Sequence, residues 1–198
     1  MIRFLATISG HDILQGDDLS ITWTSGLTVD GDGSPRCYGP GGLGLDDLSC
    51  AGHPGNWWGI LTDQDGEPYV QQSQDPAPGY YVSTTSLENR GYSATDPRRY
   101  LNSEVIPFAV IPGILARKCE GVALGCRVTI TDTRTGIHVE AVCGDLGPDN
   151  HLGEASIAVA KRLGINPSPK TGGSDEPVFR FTFYPGTAAE GYRLQPLA

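Results

Sequence analysis

The 27 glycines and 15 prolines of this 198-residue chain constrain its fold more than any other feature. Glycine weakens element interiors, and proline removes a backbone donor and breaks helices. With only 19% charged residues besides, the chain favours many short strands joined by turns over a helical bundle. Its length suffices for one domain with a proper core, and an ordinary apolar content of 38% argues against disorder. No internal repeat or interdomain linker is visible, so residues 1–198 read as a single domain.

Residues 2–8 and 19–29 read as strands. In the second, Leu19, Ile21 and Trp23 alternate with Ser20, Thr22 and Thr24, the period of a half-buried strand. It ends in Asp30-Gly31-Asp32-Gly33-Ser34-Pro35. Asp-Gly pairs are turn chemistry, and acids at a strand end equally suit the lining of a site. A calcium loop is a further reading, with the remaining EF-hand ligands absent. A Gly-rich loop spans 36–58 without a phosphate-loop pattern, and 45–50 can make one helical turn. Trp57 and Trp58 are adjacent, so in a strand they face opposite sides: one suits the core, the other a sugar-stacking platform, while packing of both in the core is the plainer alternative.

Residues 67–87 are expected to hold two strands. The hydroxyls of Ser83, Thr84, Thr85 and Ser86 suit a polar ligand or, more simply, a solvated sheet face. Residues 88–104 read as loop, 105–112 as an apolar strand, and 115–122 is ambiguous. Alternation over 126–131, a turn at Asp132-Thr133-Arg134-Thr135-Gly136 and a return over 138–143 make a hairpin. An aromatic strand is expected over 178–184.

The most informative stretch is Gly144-Asp145-Leu146-Gly147-Pro148-Asp149-Asn150-His151-Leu152-Gly153-Glu154-Ala155-Ser156. It joins an apolar strand over 139–143 to a helical pattern over 155–163, which Gly164 stops. Asp145 is expected to end the strand and Glu154 to lie in the first helical turn. Loops fixed at both ends commonly carry catalytic groups, and two carboxylates are the minimum equipment for acid/base cleavage of a glycosidic bond. The structural alternative is an Asx turn at Asp145 and a macrodipole contact at Glu154, typically worth ~0.3–1 kcal/mol. The dipole would lower the Glu154 pKa and a nearby Asp145 would raise it.

The net charge of -9 and pI of about 4.7 argue against nucleic acid, whose phosphates need Lys and Arg. They suit a cationic ligand, or serve solubility alone. No apolar run reaches the length of a membrane span, and the first ten residues lack the apolar core of a signal peptide. The five cysteines are Cys37, Cys50, Cys119, Cys126 and Cys143. Spacing permits local Cys37–Cys50 and Cys119–Cys126 bridges. No CxxC supports a zinc ribbon, and Cys143 reads as a small buried residue.

The pattern GD…GEAS followed by an apolar helix resembles the signature of the fungal-type chitosanases of glycoside hydrolase family 75. Val29-Asp30-Gly31-Asp32-Gly33, Ile106-Pro107-Phe108-Ala109-Val110 and Gly173-Ser174-Asp175-Glu176-Pro177-Val178 resemble, in order, that family's early Asp-rich motif, its apolar strand before the catalytic motif, and its closing turn and last strand. The likeness covers roughly residues 28–184. The 146–152 loop departs from it, reading Leu-Gly-Pro-Asp-Asn-His-Leu where the family carries Thr-Asn-Gly-rich loops. The order of elements is similar to a double-psi β-barrel, so the expected fold is mainly β, with one or two short helices and a six-stranded double-psi β-barrel-like core.

The resemblance implies an inverting endo-chitosanase that hydrolyses β-1,4 links between glucosamine units of a polycationic amino sugar polymer. Asp145 and Glu154 would be catalytic, with Glu154 favoured as acid because Glu starts from the higher pKa. Asp30, Asp32 and Asp149 would bind ammonium groups, His151 would hydrogen-bond either acid, and Trp57 or Trp58 would stack on sugar. It implies no cofactor, no metal, a monomer, and a secreted or extracytoplasmic location. Alternatives are hydrolysis of another amino sugar polymer (chitin-like or peptidoglycan glycan) and a non-catalytic glycan-binding barrel.

Overall fold

A computed structural model describes residues 2–196. The architecture is mainly β: a closed six-stranded barrel with two short helices. The barrel strands are β3 (Ile21–Asp30), β6 (Phe108–Pro112), β7 (Cys126–Asp132), β8 (His138–Gly147), β9 (Glu154–Ser156) and β10 (Ser174–Ala188). Strand β3 pairs with β10, β10 with β7, β7 with β8, β8 with β6 and β6 with β9; β9 returns to β3 and closes the ring. The β3–β9 and β6–β8 pairs are parallel and the other barrel pairs antiparallel. A hairpin of β1 (Arg3–Ile8) and β2 (His11–Gln15) extends from β3, and β4 (Gly52–His53) pairs with β5 (Asn56–Trp57) in a separate ribbon.

Alternation builds the barrel core. Ile21, Trp23, Leu27 and Val29 of β3, Val128 and Ile130 of β7, and Phe179, Phe181 and Phe183 of β10 are buried. The Trp23 ring stacks on Phe181 at 5.6 Å and on Phe183 at 5.1 Å. Such aromatic pairs contribute about 0.5–1.5 kcal/mol each beyond the area they bury.

Strand β3 is long enough to use one edge twice. Ile21 and Thr22 pair with β2, and Thr28, Val29 and Asp30 pair with Glu154, Ala155 and Ser156 of β9. That second pairing converts the start of the expected 155–163 helix into a strand. The helix α2 (Ile157–Leu163) begins two residues later, with the Ser156 hydroxyl accepting from the Val159 amide at 3.4 Å and Gly164 closing it in the left-handed conformation at φ 74°. The ambiguous 115–122 region contributes α1 (Gly113–Lys118).

The two strands expected within 67–87 are not formed. The segment makes isolated bridges only, Ile60 with Ser83, Thr62 with Pro68 and Val70 with Tyr81. Pro76, Pro78 and Gly79 interrupt it, and proline cannot donate to a ladder. Part of it covers a second small core of Cys37, Tyr38, Ala51 and Ile60, against which Tyr81 packs. The hairpin over 126–143 forms as expected, while the last strand runs well beyond 178–184.

All five cysteines are free thiols, so neither bridge suggested by spacing exists. Cys126 instead lies on β7 beside Cys143 on the adjacent strand β8. Among the described residues no helix is long and apolar enough to cross a membrane.

Candidate active site

Asp145 sits within the extended end of β8 rather than after it. The β6–β8 ladder pairs Ala109 with Cys143 and then Val110 with Asp145, skipping Gly144. Such bulges bend a strand end and re-aim its side chains. Only glycine suits the skipped position, because a Cβ there would lie 2.7 Å from the Phe108 Cβ.

Glu154 opens β9 beside Thr28. Gly153 before it has φ 89° and lets the chain turn against β3, where its carbonyl accepts from the Thr28 amide at 2.9 Å. Since β6 lies between β8 and β9, Val110 separates the two acids. Two strand spacings of about 4.8 Å put their main chains roughly 10 Å apart.

Both acids face one open cavity of about 550 Å³, whose walls also include Asp30, Asp32, Trp58 and His151. Its volume is in the usual range for small-molecule sites. Asp30 and Asp145 are buried, whereas Asp32 and Glu154 are partly buried.

The two central carboxyls differ in their surroundings. Asp145 Oδ1 accepts from the Ser86 amide at 3.0 Å, the Leu146 amide at 2.8 Å and the Ser86 hydroxyl. Burial raises the Asp145 pKa above its ordinary value, and these three donors offset only part of that rise. No hydrogen bond reaches the Glu154 carboxyl among the described residues. Burial first, then the charges of Asp145 and Asp46, push its pKa up to about 7. The helix-dipole effect expected at Glu154 does not act, because the residue lies in a strand ahead of the Ser156 cap.

Asp30 and Asp32 form the rest of the acidic wall. Asp30 Oδ1 accepts from the Asp32 amide at 2.7 Å, and Asp32 Oδ1 accepts from the Tyr38 hydroxyl at 2.6 Å and the Ser83 hydroxyl at 3.3 Å. The Asp-Gly run is therefore both a turn and part of the cavity wall. Burial and the neighbouring carboxylates raise both acids well above the usual range, Asp30 chiefly through burial and then Asp32, and Asp32 chiefly through burial and then Asp145. Like charges so close cannot all ionise easily.

Two expected site residues lie elsewhere. Asp149 is exposed, lies outside the cavity wall and pairs with Arg117 of α1 at 2.6 Å. Trp57 is half-buried against the small second core and is likewise not a wall residue. Its neighbour Trp58 is 61% exposed at the cavity, the opposite-face arrangement that strand geometry offers adjacent residues. His151 is on the wall with its surface exposed, and its partial desolvation there lowers its pKa.

The contacts that sequence reasoning missed are Ser86, Tyr38 and Ser83. The hydroxyl run over 83–86 was visible, but nothing local told which acid it would meet. Among the described residues no group of three or more His, Cys, Asp or Glu is arranged to hold a metal ion.

Compared with known protein families and with curated proteins, the chain matches none.

Proposed function

We propose that this protein is an endo-acting glycoside hydrolase that cleaves β-1,4 links between glucosamine units of chitosan, with inversion at the anomeric carbon. The observation that carries this reading is the inequality of Asp145 and Glu154 across Val110. Two carboxyls whose surroundings push their proton affinities apart are the usual mark of an acid and a base.

Glu154, with a pKa of about 7, holds its proton in mildly acidic solution and gives it to the leaving glycosidic oxygen. Asp145 takes the part of the base: its three donors on Oδ1 favour the charged form, and Oδ2 is left to take a proton from the attacking water. An inverting mechanism sets the attacking water between carboxyls about 6.5–9.5 Å apart, and the two acids stand on strands separated by β6. A charged Asp145 facing the sugar favours the positive charge that develops on its ring.

Asp30 and Asp32 suit the ammonium groups of the polymer, and Trp58 suits the apolar face of a sugar ring. The overall charge of -9 draws in a polycation. The GD…GEAS resemblance supports the same substrate class, and with it action as a secreted or extracytoplasmic monomer.

The test is reducing-end release from highly deacetylated chitosan at about pH 5.5, where an acid of pKa about 7 is protonated. The wild type should be active, and Glu154→Gln and Asp145→Asn should each lose several orders of magnitude while remaining folded. A folded but inactive wild type would refute the chitosanase reading; a panel of chitin-like and peptidoglycan substrates would then separate another hydrolase from a glycan-binding barrel.

A further inference from the structure

A second chamber of about 370 Å³ adjoins the acid-lined cavity. The two share Asp32, Trp58, Asp145 and Leu146 as walls, so they form one cleft with Asp145 at its waist. Trp58 stands at the junction. Its indole N–H donates to the Cys50 carbonyl at 3.0 Å, and its ring meets His53 edge-on at 6.3 Å, which fixes the orientation of an otherwise exposed aromatic face.

The far wall is built by the hydroxyl-rich segment. Thr84, Ser86 and Glu88 are half-buried, and Thr85 and Leu87 between them are buried. Apart from the shared acids, the chamber's carboxylate is Glu88. It is already paired with Arg99 at 2.8 Å and Arg90 at 3.5 Å. The acid-lined cavity therefore suits a cation, whereas the second chamber adds hydroxyls and an aromatic face to the shared acids and brings no unpaired carboxylate of its own.

We propose that the second chamber is a subsite for the sugar units that adjoin the scissile bond, holding them by stacking on Trp58 and by hydroxyl hydrogen bonds at Thr84 rather than through their amines. The proposal rests on the glycoside-hydrolase reading and deepens it. An endo-acting enzyme has to hold chain on both sides of the broken bond, and a waist at Asp145 between two unlike chambers meets that need.

The experiment measures binding of glucosamine oligomers of two, four and six units to the Glu154→Gln protein by calorimetry. The same titrations are made with Thr84→Trp, which fills the chamber, and Thr84→Val, which removes the hydroxyl and keeps the shape, each added to that background. The six-unit oligomer should bind at least about tenfold tighter than the two-unit one, the scale of one or two good contacts. Thr84→Trp should erase that gain and leave two-unit binding within about twofold; Thr84→Val should cut it by about threefold or more. The part of the gain that Thr84→Trp removes should vary less than about twofold over a roughly tenfold rise in salt, because stacking and hydroxyl hydrogen bonds are not screened by ions.

A length gain that Thr84→Trp leaves unchanged, or a Thr84-dependent part of it that collapses with salt, overturns the proposal. Should Thr84→Trp misfold by circular dichroism, an unchanged gain in Thr84→Val does the same. Two-unit binding with no length gain refutes the second chamber alone, whereas no binding of any oligomer removes the chitosanase reading and this proposal together.

Discussion

Replacing Glu154 by Gln should stabilise the protein, and only at high pH. Burial and the neighbouring Asp145 and Asp46 charges lift the Glu154 carboxyl from 4.5 to about 7. Between those values the folded chain holds a proton that the unfolded chain has released. Native stability therefore falls as pH rises through that window. At about 1.4 kcal/mol for each tenfold change in proton affinity, the full loss above pH 7 is about 3 kcal/mol. Glutamine is neutral at every pH and escapes it. In a chain of this size 1 kcal/mol moves Tm by roughly 2–4 °C, so Glu154→Gln should melt roughly 6–12 °C above wild type near pH 8 and close to it near pH 4. Thermal melts of both proteins at the two pH values decide the matter. The same difference at both would refute the assignment of a desolvated, repelled carboxyl. A variant less stable than wild type near pH 8 would point to the opposite arrangement, an ionised Glu154 favoured by a helix N-terminus.

Other outcomes follow from the same geometry. Ser86→Ala removes one of three donors that favour the charged form of Asp145. The acid limb of the pH–activity profile should therefore move up by about one unit, with about a tenfold loss of kcat/KM at low pH; a limb that does not move would show that Ser86 does not tune the base. Gly153→Ala forces a Cβ to within 2.3 Å of the Gly26 carbonyl at φ 89°, which should cost at least about 2 kcal/mol and lower Tm by roughly 4 °C or more in a thermal melt. Asp149→Asn breaks only an exposed pair with Arg117, and such pairs contribute little; kcat and KM on chitosan should stay within about twofold of wild type.

What the sequence determined by itself is the part written in local pattern. Alternation over 126–131 and 138–143 with a turn between them specifies a hairpin, since side chains of a strand must alternate between faces. Gly164 marks the helix end because a left-handed cap suits glycine. The glycine and proline content made a β architecture the economical reading, and the acids at 30, 32 and 145 stood out at strand ends and Glu154 at the start of a helical pattern. What only the tertiary structure decided is the part that depends on partners far along the chain. Residues 154–156 have no strand signal of their own; they are a strand because β3 and β6 lie on either side to satisfy their backbone groups. That one pairing moves Glu154 out of the helix, and burial with the Asp145 charge then decides the direction of its pKa shift, which the sequence left open. Ser86 reaches Asp145 across 59 residues, while Asp149, only four residues from Asp145, turns away to Arg117. Periodicity reports which face of an element is buried, but not which surface covers it, and the environment of a carboxyl is set by that covering surface.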